Sequence, residues 1–223
     1  MIVDNTTSRA FPDRYWEPDF RACLGMIRLL ETPEWREVEV PPYPTSKSVQ
    51  QHELDDLRVM QASPERLDVR RDEILEEADE VSPKFGRMML FNGKSHPLTT
   101  RVVLDMVIGG RPIIMYFKNK FNRPRPSQVD PGILPLIDVP GHPAYPSGHS
   151  FQTHLVAHAL GEFAPHLREP LAAIASRVAE NREWAGVHYS SDSIAGRDLA
   201  EALFPMFKAA FAEDFEAAAA EWS

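Results

Sequence analysis

Between Arg123 and Tyr145 the chain places six prolines and two glycines. Each proline fixes φ and removes a backbone donor, so neither a helix interior nor a central strand can run through this stretch. It is read as a long loop. On both sides of it, apolar residues recur at helical rather than alternating spacing. Phe20, Cys23, Leu24, Ile27 and Leu30 predict a helix over 19–31. Further helices are predicted over 48–61, 64–81, 98–121, 148–163, 168–185 and 192–219, the third opened by Ser63 as cap and Pro64 at its first position. That third helix is rich in Glu and Arg and is expected to face solvent on most sides. Residues 1–17 read as an irregular arm and Val40-Pro41-Pro42-Tyr43-Pro44 as a linker, while Gly109-Gly110 marks either a break or a close-packing point. No run alternates with period two for long enough to be a strand, so the chain is expected to be all-α.

Composition narrows the function classes. A net charge of −9 argues against a broad electrostatic grip on nucleic acid. The longest apolar stretch, around Val102 to Met115, is interrupted by Asp105, Gly109, Gly110 and Arg111 and is too polar to span a bilayer. The first residues lack a cationic segment followed by an apolar one, and Cys23 is the only cysteine, so a soluble, cytoplasmic protein without an intrachain disulfide is expected.

Against that acidic background three blocks stand out: Lys118-x6-Arg125-Pro126, Pro146-Ser147-Gly148-His149 and Arg182-x5-His188-x3-Asp192. Brought together, they supply three fixed cations, two histidines, a hydroxyl, a glycine amide and a carboxylate behind a histidine. That set suits a tetrahedral oxyanion. Arg125 offers a planar fork and Lys118 a point charge, with Arg182 as the third cation. Ser147 and the Gly148 amide sit where the Pro-rich loop turns into a helix, and a helix start favours anions. His149, in that first turn, is placed to donate a proton to a leaving oxygen. His188 and Asp192 are four apart, so a helix beginning near them would put both on one face, the carboxylate fixing the ring tautomer. Gly186 lets the chain break between Arg182 and His188. Taken singly, each block also has a plain reading: a solvated basic helix end at Lys118, Lys120, Arg123 and Arg125, ordinary capping at Ser147-Gly148, a surface His–Asp pair. Their order and joint spacing are the specific signal.

Together they resemble the type 2 phosphatidic acid phosphatase and vanadium haloperoxidase superfamily, whose pattern is K-x6-R-P, P-S-G-H and S-R-x5-H-x3-D. The match spans about residues 98–200, with Asn181 standing where the family usually has serine. The resemblance implies a helical bundle of the acid phosphatase / haloperoxidase type. Residues 96–223 are read as its catalytic helical core and residues 1–95, which the resemblance does not reach, as a helical extension packing on it in one compact domain overall. It implies that His188 attacks phosphorus, that Asp192 orients it, and that His149 protonates the leaving alcohol and then activates water. Lys118, Arg125, Ser147, Gly148 and Arg182 would bind the phosphate, with no metal required.

The preferred reading is a phosphomonoester hydrolase acting on a small soluble phosphate ester through a phosphohistidine, with no membrane span and no nucleic-acid partner. The alternative is a vanadium-dependent haloperoxidase, with vanadate on His188. The chain's modest length favours the phosphatase, while His142 in the loop before His149 is similar to the bromoperoxidase-type loop, although a histidine capping backbone groups is preferred there. His154 and His158 are read as helix-face residues. A non-catalytic anion-binding helical protein is the second alternative. Residues shaping the pocket mouth are expected from the N-terminal half, including Trp16, Tyr43 and Phe91, and the Pro-rich arm is compatible with exchange in a homo-oligomer.

Overall fold

The computed structural model describes residues 18–78, 80 and 82–222, and among them there are helices and no strand. The arm read over 1–17, with Trp16, lies outside the described residues. The helices are α1 (Pro18–Glu31), α2 (Lys47–Ala62), α3 (Glu65–Asp68), α4 (Arg71–Glu76), α5 (Ser82–Met89), α6 (Pro97–Phe121), α7 (Pro126–Val129), α8 (Gly148–Phe163), α9 (Arg168–Trp184), α10 (Ser190–Ala210) and α11 (Ala212–Ala219). None of the described helices is long and apolar enough to cross a membrane.

The bundle is organised around α8, which contacts α6, α9 and α10. Its sequence explains this: Phe151, Leu155, Val156, Ala159 and Leu160 leave no wholly polar face, and all five are buried. Each large apolar side chain so buried contributes about 1.5–3 kcal/mol relative to exposure. The far side of α6 carries α1 and α11, and one apolar cluster runs through α5, α6, α8, α10 and Leu29 of α1. Gly109-Gly110 is a close-packing point and not a break. A side-chain carbon on Gly109 would lie 3.1 Å from Leu29 Cδ1, and one on Gly110 would lie 3.0 Å from Phe151 Cε1.

Two predicted helices are divided. The one read over 64–81 becomes α3 and α4; Asp68, Arg71, Asp72 and Glu76 are exposed as expected, but Arg66, Arg70 and Glu77 are buried. Arg66 donates from Nε to the Trp184 carbonyl at 2.8 Å, and Arg70 stacks on the Trp184 ring while donating to Asn181 Oδ1 at 3.1 Å. Long-range partners for the arginines override the local preference for one continuous helix. The helix read over 192–219 starts at Ser190 and is interrupted at Phe211, whose ring fills the slot left by Gly25 and Gly109. The loop after α6 also contains the single-turn α7, and α5 is a helix that the spacing did not single out.

Candidate active site

Each of the three blocks sits at a helix end. Lys118 lies in the last turn of α6, which stops where Asn122 turns left-handed (φ 49°) and donates its N–H back to the Lys118 carbonyl at 2.8 Å. The chain then leaves the helix, so Arg125 comes off the loop. Ser147 caps α8 through a 3.4 Å acceptance from the Ser150 N–H, placing Gly148 and His149 in the first turn. Arg182 lies in the last turn of α9. Gly186 follows with φ 77°, a left-handed conformation that a side chain would strain, and this turn carries the chain to His188.

His188 and Asp192 do not share a helix face. The helix α10 begins at Ser190, so His188 precedes it, and Asp192 works as a capping carboxylate in its first turn. Asp192 Oδ2 accepts from the Tyr189 N–H at 3.1 Å and from His188 Nδ1 at 2.9 Å. The other ring nitrogen fixes the tautomer. Arg125 Nη1 lies 2.9 Å from His188 Nε2, and a guanidinium can only donate, so Nε2 carries the lone pair and Nδ1 the proton. Burial, then Arg125 and Lys118, hold His188 well below the ordinary histidine range, so it is neutral.

Arg125, Gly148, His149, Arg182 and His188 line one cavity of about 700 Å³. Lys118, Ser147 and Asp192 stand behind its wall. Lys118 is fully buried and donates to the carbonyls of Pro143 and Ala144, both at 2.8 Å, with its Cε beside Gly148. Burial, followed by the charge of Arg125, pulls Lys118 well below the usual lysine range. Burial also lowers Arg125 to about 10 and lowers Arg182. Among the described residues, Arg182 Nε and Nη1 are buried without a hydrogen-bond partner. Three cations crowded together, one with orphaned donors, suit a negatively charged group.

His149 Nε2 donates to the Glu77 carbonyl at 3.0 Å, which leaves the lone pair of the neutral ring on Nδ1. Burial, then Arg182, lower it to about 3. His142 does more than cap backbone. It lines the cavity, and its Nδ1 accepts from Arg125 Nη2 at 3.0 Å. His154 bonds the Ser150 carbonyl and His158 stacks on Phe204, so both are helix-face residues away from the cavity. Among the described residues, no group of three or more His, Cys, Asp or Glu side chains is placed to share a metal ion.

The mouth differs from expectation. Tyr43 packs on Tyr145 and beneath Arg123, and Phe91 packs on Trp222, so neither lines the cavity. The outer walls come instead from Arg111, Ile114 and Met115 of α6, from Ile137 and Pro140 of the loop, and from Leu75 and Ala78. Aromatic character alone says nothing about place.

Arg123, read from sequence only as part of a basic cluster, is central to the site's second layer. It donates to Asp192 Oδ1 at 2.7 Å and to Glu53 Oε2 at 2.6 Å, and its guanidinium lies 3.7 Å from the Tyr189 ring centroid. Although burial opposes its charge, Asp192 and Glu53 hold it above the ordinary arginine value. A buried chain therefore runs Glu53–Arg123–Asp192–His188. The only sequence signal for Arg123 was an arginine pressed between a helix stop and Pro124.

Gly196 of α10 is the other residue the sequence did not flag. A side-chain carbon there would lie 2.5 Å from the Ser147 carbonyl oxygen and 2.9 Å from Ser150 Cβ. Gly196→Ala is expected to push α10 off the Ser147-Gly148 corner and cost about 1–3 kcal/mol. Thermal unfolding checks this, and an unchanged midpoint would mean that the two helices separate freely.

The PAP2 superfamily model matches residues 101–214, a span that holds all three blocks. Among solved structures, the first transmembrane PAP2 type phosphatidylglycerolphosphate phosphatase from Bacillus subtilis is similar, with a TM-score of 0.54 and 18% identity over 88% of this chain and 96% of that one. At that identity the likeness is one of fold. No curated protein matches the chain significantly.

Proposed function

Since the chain belongs to the PAP2 superfamily, we propose that it is a metal-independent phosphomonoester hydrolase acting through a phosphohistidine on a small phosphate ester. The observation that carries this reading is Arg182, whose buried Nε and Nη1 lack partners among the described residues while the residue lines the same cavity as His188, whose Nε2 carries the lone pair.

In this reading the phosphoryl oxygens lie against Arg125, Arg182 and the Gly148 amide, with Lys118 adding its charge from behind. His188 Nε2 attacks phosphorus in line, forming the P–N bond as the P–O bond to the alcohol breaks. The proton on Nδ1 stays hydrogen-bonded to Asp192, which stabilises the cationic ring. His149 must donate from Nδ1, so it must first be protonated. Burial, then the charge of Arg182, hold it near 3; a phosphate dianion offsets that charge and so raises the affinity of His149 for the proton. After the alcohol leaves, neutral His149 takes a proton from water as the water oxygen attacks phosphorus, breaking the P–N bond and releasing phosphate. The outer wall of Leu75, Ile114, Met115 and Ile137 suits an ester with an apolar alcohol portion.

The vanadium-dependent haloperoxidase reading draws on the same donors, with His142 beside Arg125 as the observation in its favour. Vanadate on His188 would supply peroxide activation. One experiment separates the two. Hydrolysis of p-nitrophenyl phosphate by the purified protein in excess chelator is expected, and vanadate is expected to block it at low-micromolar concentration, about −8 kcal/mol of binding. Absence of turnover, with bromide oxidised by peroxide in the vanadate-loaded protein, would overturn the hydrolase.

A further inference from the structure

The segment 74–78, which belongs to the N-terminal half and to none of the three blocks, forms part of the site. Glu77 is 0% exposed. Its carboxylate accepts from Arg182 Nη2 at 2.9 Å and from Asn181 Nδ2 at 3.0 and 3.1 Å, and it is paired with Lys84. Its carbonyl takes the His149 Nε2 proton at 3.0 Å, and the Ile74 carbonyl accepts from Arg182 Nη2 at 3.1 Å.

Among the described residues, Arg182 is thus held by one nitrogen only. Both acceptors meet Nη2, and the guanidinium is a rigid plane, so fixing Nη2 fixes the aim of Nε and Nη1. Those are the two donors without partners. A carboxylate beside an anion site would ordinarily repel the anion, but this one is compensated by Lys84 and the Asn181 amide, and it occupies the nitrogen that the anion does not need. Breaking a buried ion pair from one side is strongly destabilising, while an apolar replacement of the whole cluster is often neutral. Stability alone therefore gives little reason for the cluster. Asn181, the one departure from the family pattern, carries the amide that reaches Glu77.

We propose that Glu77 is a positioning residue for oxyanion binding, its carboxylate aiming Arg182 and its carbonyl selecting the His149 tautomer. This rests on reading the cavity as an oxyanion site, and its test does not depend on turnover. Inorganic phosphate is titrated calorimetrically into the full chain and into Glu77→Gln, Arg182→Ala and the double variant. Glu77→Gln is expected to weaken binding about tenfold, as loss of an outer-shell partner commonly does. The double variant should bind within about twofold of Arg182→Ala alone, because both changes remove one interaction. In nitrogen-15 spectra with phosphate, the Arg182 Nε–H signal should be sharp in the wild type and broadened in Glu77→Gln.

Binding by Glu77→Gln that equals or exceeds the wild type, or losses that simply add, would overturn the proposal. Should Glu77→Gln fail to fold, Asn181→Ser carries the test, with an expected loss of about threefold from the freed carboxylate. Unchanged binding in folded Asn181→Ser counts against it equally. A wild type that binds phosphate but hydrolyses nothing would remove the hydrolase and leave this proposal standing. One that does not bind phosphate removes both.

Discussion

His188→Ala is expected to abolish turnover, lowering kcat by at least about 10⁴-fold, the scale at which loss of a nucleophile leaves only the binding contribution. The reason is specific to the geometry. Among the described residues, no other histidine ring in the cavity is hydrogen-bonded to a carboxylate: His149 donates to a carbonyl, and His142 Nδ1 faces Arg125. Phosphate binding should survive in part, because Arg125, Arg182 and the Gly148 corner remain. Arg125 loses one acceptor but keeps the carbonyls of His142 and Val187, at 3.0 and 2.7 Å, so the fork stays in place. Steady-state kinetics alongside phosphate calorimetry reads the two effects separately. Near wild-type turnover would mean that another group attacks phosphorus.

The second large effect is expected from Asp192→Asn, a near-isosteric change with a loss of about 10³–10⁴ in kcat, as for other tautomer-disrupting changes in oriented-base sites. Asp192 receives donors from His188 Nδ1, the Tyr189 N–H and Arg123 Nη1. An amide cannot accept at both ends. If its NH₂ faces Arg123, two donors collide; if it faces His188, Nδ1 must become the acceptor and the proton moves to Nε2. There it meets Arg125 Nη1, which can only donate, and the attacking lone pair is gone. Asp192→Asn should therefore depress kcat while leaving the helical signal in circular dichroism intact. Ring nitrogen-15 shifts of His188 should report the exchanged tautomer. Retained activity would show that Asp192 serves the cap of α10 and not the histidine.

The three blocks were legible because each couples residue types to a helix end that the sequence also announces: Asn122 and Pro124 stop α6, Ser147 caps α8, and Gly186 ends α9. Local signals thus placed Lys118, Arg125, His149 and Arg182 before any tertiary contact was considered, whereas His188 was read onto one helix face with Asp192 and instead precedes α10. The second layer was hidden for the opposite reason. Glu53 and Glu77 lie on charged segments whose pattern is that of a solvated surface, and their partners Arg123 and Arg182 are far away in sequence. Nothing in a local pattern distinguishes a glutamate facing water from one facing an arginine on another helix. The same blindness explains the single helix read over 64–81, which long-range pairing of Arg66 and Arg70 divides.

The contact between Arg125 and His188 Nε2 has a consequence for selectivity. With the guanidinium resting on the nitrogen proposed to attack, that lone pair is capped. An uncharged electrophile that drifts into the cavity offers the guanidinium only a neutral acceptor with which to draw the cap away. An anion offers it a better acceptor than a neutral ring. Neutral phosphotriesters would then be refused without any steric barrier, and the histidine would be spared alkylation between turnovers. Negative charge would then act as the password, checked by the same residue that guards the lone pair.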